Sequence, residues 1–201
     1  MKRQITVVSL GPGPAELLTL ETAELLQAGM PLYLRTDQHP VAAWLRQKGI
    51  AFKTLDAFYE RYEDFDEMHR AMARGLWKKA GEGPLLFAVA DAVNDDAVKA
   101  LCADRPEDST VEIKAGVSRM DASLAMAQTG STGGLRVISA MNLQKAGYQP
   151  SMPLLVTEID NAALAGDVKL WLTDLYDDEL TVIVFPSSVE KPATMKRMPL
   201  L

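Results

Sequence analysis

A single cysteine, Cys102, stands among 201 residues. It excludes an internal disulfide and fits a reducing compartment. Its simplest role is a small apolar residue on the helix that follows Asp95. Histidine is scarce too, with two residues, and aromatics make up only 6% of the chain. His39 precedes Pro40 at a helix start and His69 falls within a long helix. Neither has a Cys, Ser or carboxylate at ligand or triad spacing, so neither reads as a catalytic group. Positive charge is in deficit: 21 Lys and Arg against 27 Asp and Glu leave a formal charge of −6. That balance speaks against general nucleic-acid or membrane-surface binding, which needs a basic face. No uncharged apolar run approaches the ~18 residues of a membrane span. The opening Met1-Lys2-Arg3-Gln4 passes directly into strand-like residues without a signal-peptide core. The expected location is the cytoplasm.

What is present is an ordinary globular composition, 48% apolar and 24% charged, enough to bury a core in one large or two small domains. Residues 5–10 are β-branched and apolar, a buried strand stopped by Gly11-Pro12-Gly13-Pro14. A helix through Glu21, Leu25 and Leu26, a strand over 32–34, a helix opened by Pro40 and a weaker strand over 50–55 follow. Phe65, Met68, Met72 and Leu76 recur at helical spacing, and 85–90 is the most apolar strand of this half. A helix from Asp95 to about 103 and a strand over 110–113 complete a β-α alternation. Such alternation predicts a mostly parallel sheet covered on both faces. The second half predicts a small-residue helix over 118–127, strands over 135–139, 154–159 and 181–185, and a helix carrying Leu164, Val168, Trp171, Leu172 and Leu175. An edge strand is expected within 193–200. The fold class is α/β with two lobes, 1–114 with a mostly parallel sheet and 115–201 with a mixed sheet.

Three loops at strand ends are candidate ligand contacts. Gly11, Pro12 and Gly13 follow the first strand, where glycine lets backbone approach a ligand and where open α/β sheets bind ligands. The dinucleotide fingerprint lacks its third glycine, and the phosphate loop lacks its lysine and hydroxyl. The loop 90–95 follows the fourth strand. Asp91 there could accept hydrogen bonds from a ligand, while Asn94 or Asp95 suits helix capping. Gly116-Val117-Ser118 places small residues at a helix start, with capping by Ser118 as the plain alternative. The acidic run Glu60, Glu63, Asp64, Asp66 and Glu67 has no second acidic pair facing it. It is expected to be a solvated face and not a metal site.

Together the three loops resemble the tetrapyrrole (corrin and porphyrin) methylase family. The segment Gly11-Pro12-Gly13-Pro14-Ala15-Glu16-Leu17-Leu18-Thr19 is similar to that family's opening signature. Leu32-Tyr33-Leu34-Arg35-Thr36 with His39-Pro40-Val41 resembles the branch fused to a MazG nucleotide pyrophosphohydrolase domain. Gly116-Val117-Ser118-Arg119-Met120-Asp121 and Asp167-Val168-Lys169-Leu170, followed by Leu175-Tyr176-Asp177-Asp178, agree with it. The resemblance implies a two-lobed homodimer that binds S-adenosylmethionine between its lobes and methylates a tetrapyrrole. It implies a cofactor lined by Gly11, Pro12 and Gly13, the backbone of Ala88, Val89, Ala90 and Asp91, Ser118, and Met141. It also implies a chain shortened from, or part of, a longer protein that continues into a helical pyrophosphohydrolase segment. Large apolar residues, Trp77 and Trp171 among them, exceed what two small lobes readily cover and point to the homodimer as well.

The departure from the family pattern lies in the loop 90–95, where a glycine-containing turn is expected and Ala90-Asp91-Ala92-Val93-Asn94-Asp95 stands. This implies weak or lost cofactor binding. A catalytic methyltransferase and a non-catalytic module serving a MazG-type enzyme therefore both stand, with an unrelated nucleotide-binding α/β protein behind them.

Overall fold

The computed structural model describes residues 2–145, 152–159, 161–185 and 195–200. They form two compact units, Met1–Arg119 and Met120–Leu201.

In the first unit β1 (Arg3–Ser9), β2 (Leu32–Leu34), β3 (Lys53–Thr54), β4 (Leu85–Val89) and β5 (Ser109–Lys114) build one sheet. Its order is β3-β2-β4-β1-β5 and every pairing is parallel. Alternation along β4 divides the core. Leu85, Phe87 and Val89 face α4 (Phe65–Ala80) and α5 (Asp96–Ala103), meeting Met68, Met72 and Leu101. Leu86 and Ala88 face α1 (Leu20–Gln27) and α2 (Pro40–Gln47), meeting Leu26, Val41 and Leu45. Both faces of β4 are thus buried, which explains its unbroken apolar run.

The expectation that Trp77 lies uncovered needs correction. Trp77 is buried in the first unit, and its Nε1 donates to the Leu101 carbonyl at 3.1 Å. It offers nothing to a second copy. The acidic run is also divided. α3 (Asp56–Arg61) ends before Tyr62, and Asp64 caps α4 by accepting from the Glu67 amide at 2.7 Å. Cys102 lies on an exposed face of α5.

The second unit opens with α6 (Arg119–Ala127), whose first residue belongs to the first unit. β6 (Arg136–Ser139) and β7 (Leu154–Thr157) pair in parallel. β8 (Thr181–Val184) and β9 (Lys196–Pro199) pair antiparallel. Ala140, Leu143 and Val168 form a small core packed by Ile138, Leu154 and Trp171, with Val168 and Trp171 coming from α7 (Ala162–Thr173). The β7 strand stops short of Ile159 because Glu158 takes a left-handed backbone at φ +61°. Of the edge strand expected over 193–200, residues 193 and 194 lie outside the described residues. No helix among the described residues is long and apolar enough to cross a membrane.

Candidate functional site

The carboxyl ends of β1, β4 and β5 converge on Ser9, the last residue of β1. Its hydroxyl accepts from the Ala92 amide at 3.0 Å and donates to the Lys114 carbonyl at 3.3 Å. One small side chain thus ties β1 to the loop after β4 and to the end of β5. Gly116 lies directly over it: a Cβ there would stand 2.5 Å from the Ser9 Cβ. Gly11 turns at φ +80°, and a Cβ on it would meet the Leu17 carbonyl at 3.3 Å and the Val117 carbonyl at 3.7 Å. The first and third loops therefore meet backbone to backbone at ordinary contact distance, and it is the left-handed φ of Gly11 that calls for glycine there. Gly11, Pro12 and Gly13 are all buried.

Two side chains hold this turn from outside. His39 caps α2, its Nδ1 accepting from the Val41 amide at 3.2 Å, so the ring proton sits on Nε2. That Nε2 donates to the Gly11 carbonyl at 3.0 Å. Burial lowers the His39 pKa, and the Arg119 charge lowers it further against the opposing Gly11 bond. Arg119 donates to the next carbonyl along the turn, that of Pro12, at 3.4 Å. The histidine dismissed on spacing alone is thus a neutral clamp on the glycine turn.

The polar groups of the second loop are already partnered, from neighbouring segments and from within the loop. The Ala88 carbonyl accepts from the Arg35 amide at 2.9 Å, that of Val89 from Leu10 at 2.7 Å, and that of Ala90 from Gly11 at 3.0 Å. Asp91 Oδ1 accepts from the amides of Val93 at 3.0 Å and Asn94 at 3.4 Å, and its Oδ2 from the Asn94 side chain at 2.8 Å. Asp95 caps α5 through the Ala97 and Val98 amides at 2.9 and 3.3 Å, the capping reading of that residue.

Behind this loop lies a cluster that sequence reasoning missed. Arg35 follows β2 and extends its guanidinium across the sheet's end. It pairs with Asp95, donates from Nε to Tyr59 at 2.8 Å, and lies 3.3 Å from His69 Nε2. Burial works against the Arg35 charge, but Asp95 and Tyr59 together outweigh it and raise its pKa. Burial lowers the pKa of His69, and the Arg35 charge adds to that. His69 therefore accepts from Arg35 as a neutral ring.

The first unit thus brings Gly11, Pro12, Gly13, Ala88, Val89, Ala90 and Asp91 to one end of its sheet. Val117 and the half-buried Ser118, just before α6, complete the third loop there. Met141 belongs to the second unit, in the 3-10 turn Ala140–Lys145 after β6, and is 70% exposed. Two cavities are lined by other residues. One of about 490 Å³ is walled by Asp37, Arg46, Phe52 and Asp56; one of about 250 Å³ in the second unit is walled by Arg136, Leu143, Trp171 and Tyr176.

No family model matches the chain. An uncharacterized protein YabN of Bacillus subtilis (strain 168) is 26% identical over 204 residues, which take in 100% of this chain and 42% of that protein. The chain therefore spans about two fifths of that relative's length. A cobalt precorrin-4 methyltransferase of cobalamin biosynthesis superposes with a TM-score of 0.68 at 15% identity, covering 99% of this chain and 86% of that one. A uroporphyrin-III C-methyltransferase from Thermus thermophilus, complexed with S-adenosylhomocysteine, superposes at 0.58 with 20% identity over 98% and 83% of the two chains. Across almost its whole length, this chain has the α/β fold of the tetrapyrrole methyltransferases.

Proposed function

We propose that this chain is a methyltransferase-type domain whose ligand end is the carboxyl edge of the first unit's parallel sheet. The observation that carries it is the backbone-to-backbone packing of the Gly11 turn against Val117 at that edge, in a fold shared with S-adenosylmethionine-dependent enzymes. The fit to that cofactor is partial. The first and third loops have the close glycine geometry it asks for, with Gly11, Pro12, Gly13 and Ser118 as the residues that would hold it. The second loop does not fit as well, because the carbonyls of Ala88, Val89 and Ala90 and the Asp91 carboxylate already have partners. Bound there, the cofactor would supply a methyl group already activated on a sulfonium. The protein's part would then be orientation, with no nucleophile required. A tetrapyrrole is the proposed acceptor, and a homodimer in the cytoplasm the proposed state.

The partnered polar groups of the second loop favour a second reading, a non-catalytic module associated with a MazG-type pyrophosphohydrolase. A ligand polar group that finds no backbone partner costs about 1–3 kcal/mol, so two such groups weaken binding by roughly a hundredfold or more. Isothermal titration with S-adenosylmethionine and S-adenosylhomocysteine separates the two. Tight one-to-one binding per subunit supports the methyltransferase. Absence of heat from folded protein leaves the module.

A further inference from the structure

Arg119 is a half-buried cation for which the described residues supply no anion. Its one hydrogen bond among the described residues is the 3.4 Å contact to the Pro12 carbonyl, long for an N–H···O bond. No ion pair involves it there, whereas the neighbouring Lys114 has both Glu21 and Glu112. Burial lowers its pKa, with no carboxylate working the other way. The second group on the same turn, His39, is a ring-nitrogen donor and adds no negative charge. A guanidinium carries five donors in a fork that matches a carboxylate or phosphate, and burying one without a counter-charge is costly.

We propose that Arg119, beside Pro12, is an anion-binding residue that receives a carboxylate of the bound small molecule. The proposal deepens the methyltransferase reading by adding a charged contact at the same sheet edge, and it rests on that reading for the ligand's identity. Two carboxylates are eligible: the amino-acid end of the cofactor and the acidic side chains of a tetrapyrrole. In either case the fork would leave the weak Pro12 contact for two charge-assisted bonds.

Inorganic phosphate serves as the probe, because it tests the anion site without presupposing the cofactor. Millimolar phosphate, at ionic strength matched with chloride, should raise the melting temperature of the wild-type chain through binding to the folded state. Arg119→Gln should weaken the apparent phosphate affinity by roughly tenfold or more, and Arg119→Lys should keep part of it. If saturating S-adenosylhomocysteine removes the phosphate effect, the cofactor's carboxylate is the natural occupant. If the effect persists with that ligand bound, the acceptor's carboxylate is. A phosphate effect without any S-adenosylhomocysteine binding keeps the anion site and rejects the cofactor. A wild-type melting temperature indifferent to phosphate, or an Arg119→Gln variant that responds like wild type, overturns the proposal.

Discussion

Gly116 and Ser9 touch so closely that a single added carbon would stand 2.5 Å from the Ser9 Cβ and 3.2 Å from its carbonyl oxygen. Ser9 cannot withdraw, since its hydroxyl is bonded both to Ala92 and to Lys114. Gly116→Ala should therefore destabilise the first unit by about 1–3 kcal/mol, the usual cost of overpacking. In a Ser9→Gly background, where the colliding carbon is gone, the same substitution should cost markedly less. Urea unfolding of the four variants measures the difference, and equal costs in both backgrounds would refute the contact.

Asp95 has two duties, pairing with Arg35 and capping α5, and its side chain is only 4% exposed. Asp95→Ala should remove both and leave Arg35 a partly buried charge without a counter-ion, a loss of about 2–4 kcal/mol once its remaining exposure is allowed for. Asp95→Asn keeps a capping oxygen and should lose less. Denaturant midpoints order the three proteins, and an alanine variant no worse than asparagine would show that the cap carries nothing.

Those two contacts mark the boundary of what the sequence makes legible. The strand over 32–34 and the helix opened by Pro40 are local signals, an apolar run and a proline at a first helical position, and both stand where expected. Arg35 is different. It joins Tyr59, His69 and Asp95 across 24 to 60 positions, so its role exists only once β2 lies beside β4. His39 donating to Gly11 is equally long-range. Boundaries failed where a backbone or an edge decides them. The strand expected over 50–55 shrinks to Lys53–Thr54 at the rim of the sheet, and Glu158 ends β7 early. Local chemistry predicted elements, while the contacts that shape the site came from topology.

Both histidines have pKa values below the ordinary 6.5, by burial first and then by arginine charge in each case. The folded protein therefore holds fewer protons than the unfolded chain just below that value. Stability should be fully present above pH 6.5 and fall as the pH drops from there toward the depressed folded values. Facing His69 are Arg35, which opposes its charge, and Asp95, Asp96 and Asp66, which favour it. His69→Gln, which cannot titrate, should flatten part of that slope. Unfolding free energies between pH 5 and 7 check this, and an unchanged slope in the variant would exclude His69 as a contributor.

The proposed homodimer can be tested on α7 without disturbing either core. Val168 points into the second unit, whereas Ala163, Gly166 and Leu170 are exposed at spacings of three and four residues, one face of the helix. Leu170 is 65% exposed, and a Cβ added at Gly166 meets nothing within 4 Å. Small residues flanking a large apolar one suit close approach of a second apolar surface. If a copy of the chain packs there, light scattering at micromolar concentration should give twice the monomer mass. Gly166→Leu fills only open space in the single chain, so it should fold normally yet hold the copies apart. Leu170→Glu should weaken association by roughly ten- to a hundredfold through loss of one buried leucine. A monomeric wild type would defeat the dimer itself, and a dimer indifferent to both substitutions would move its interface off this helix.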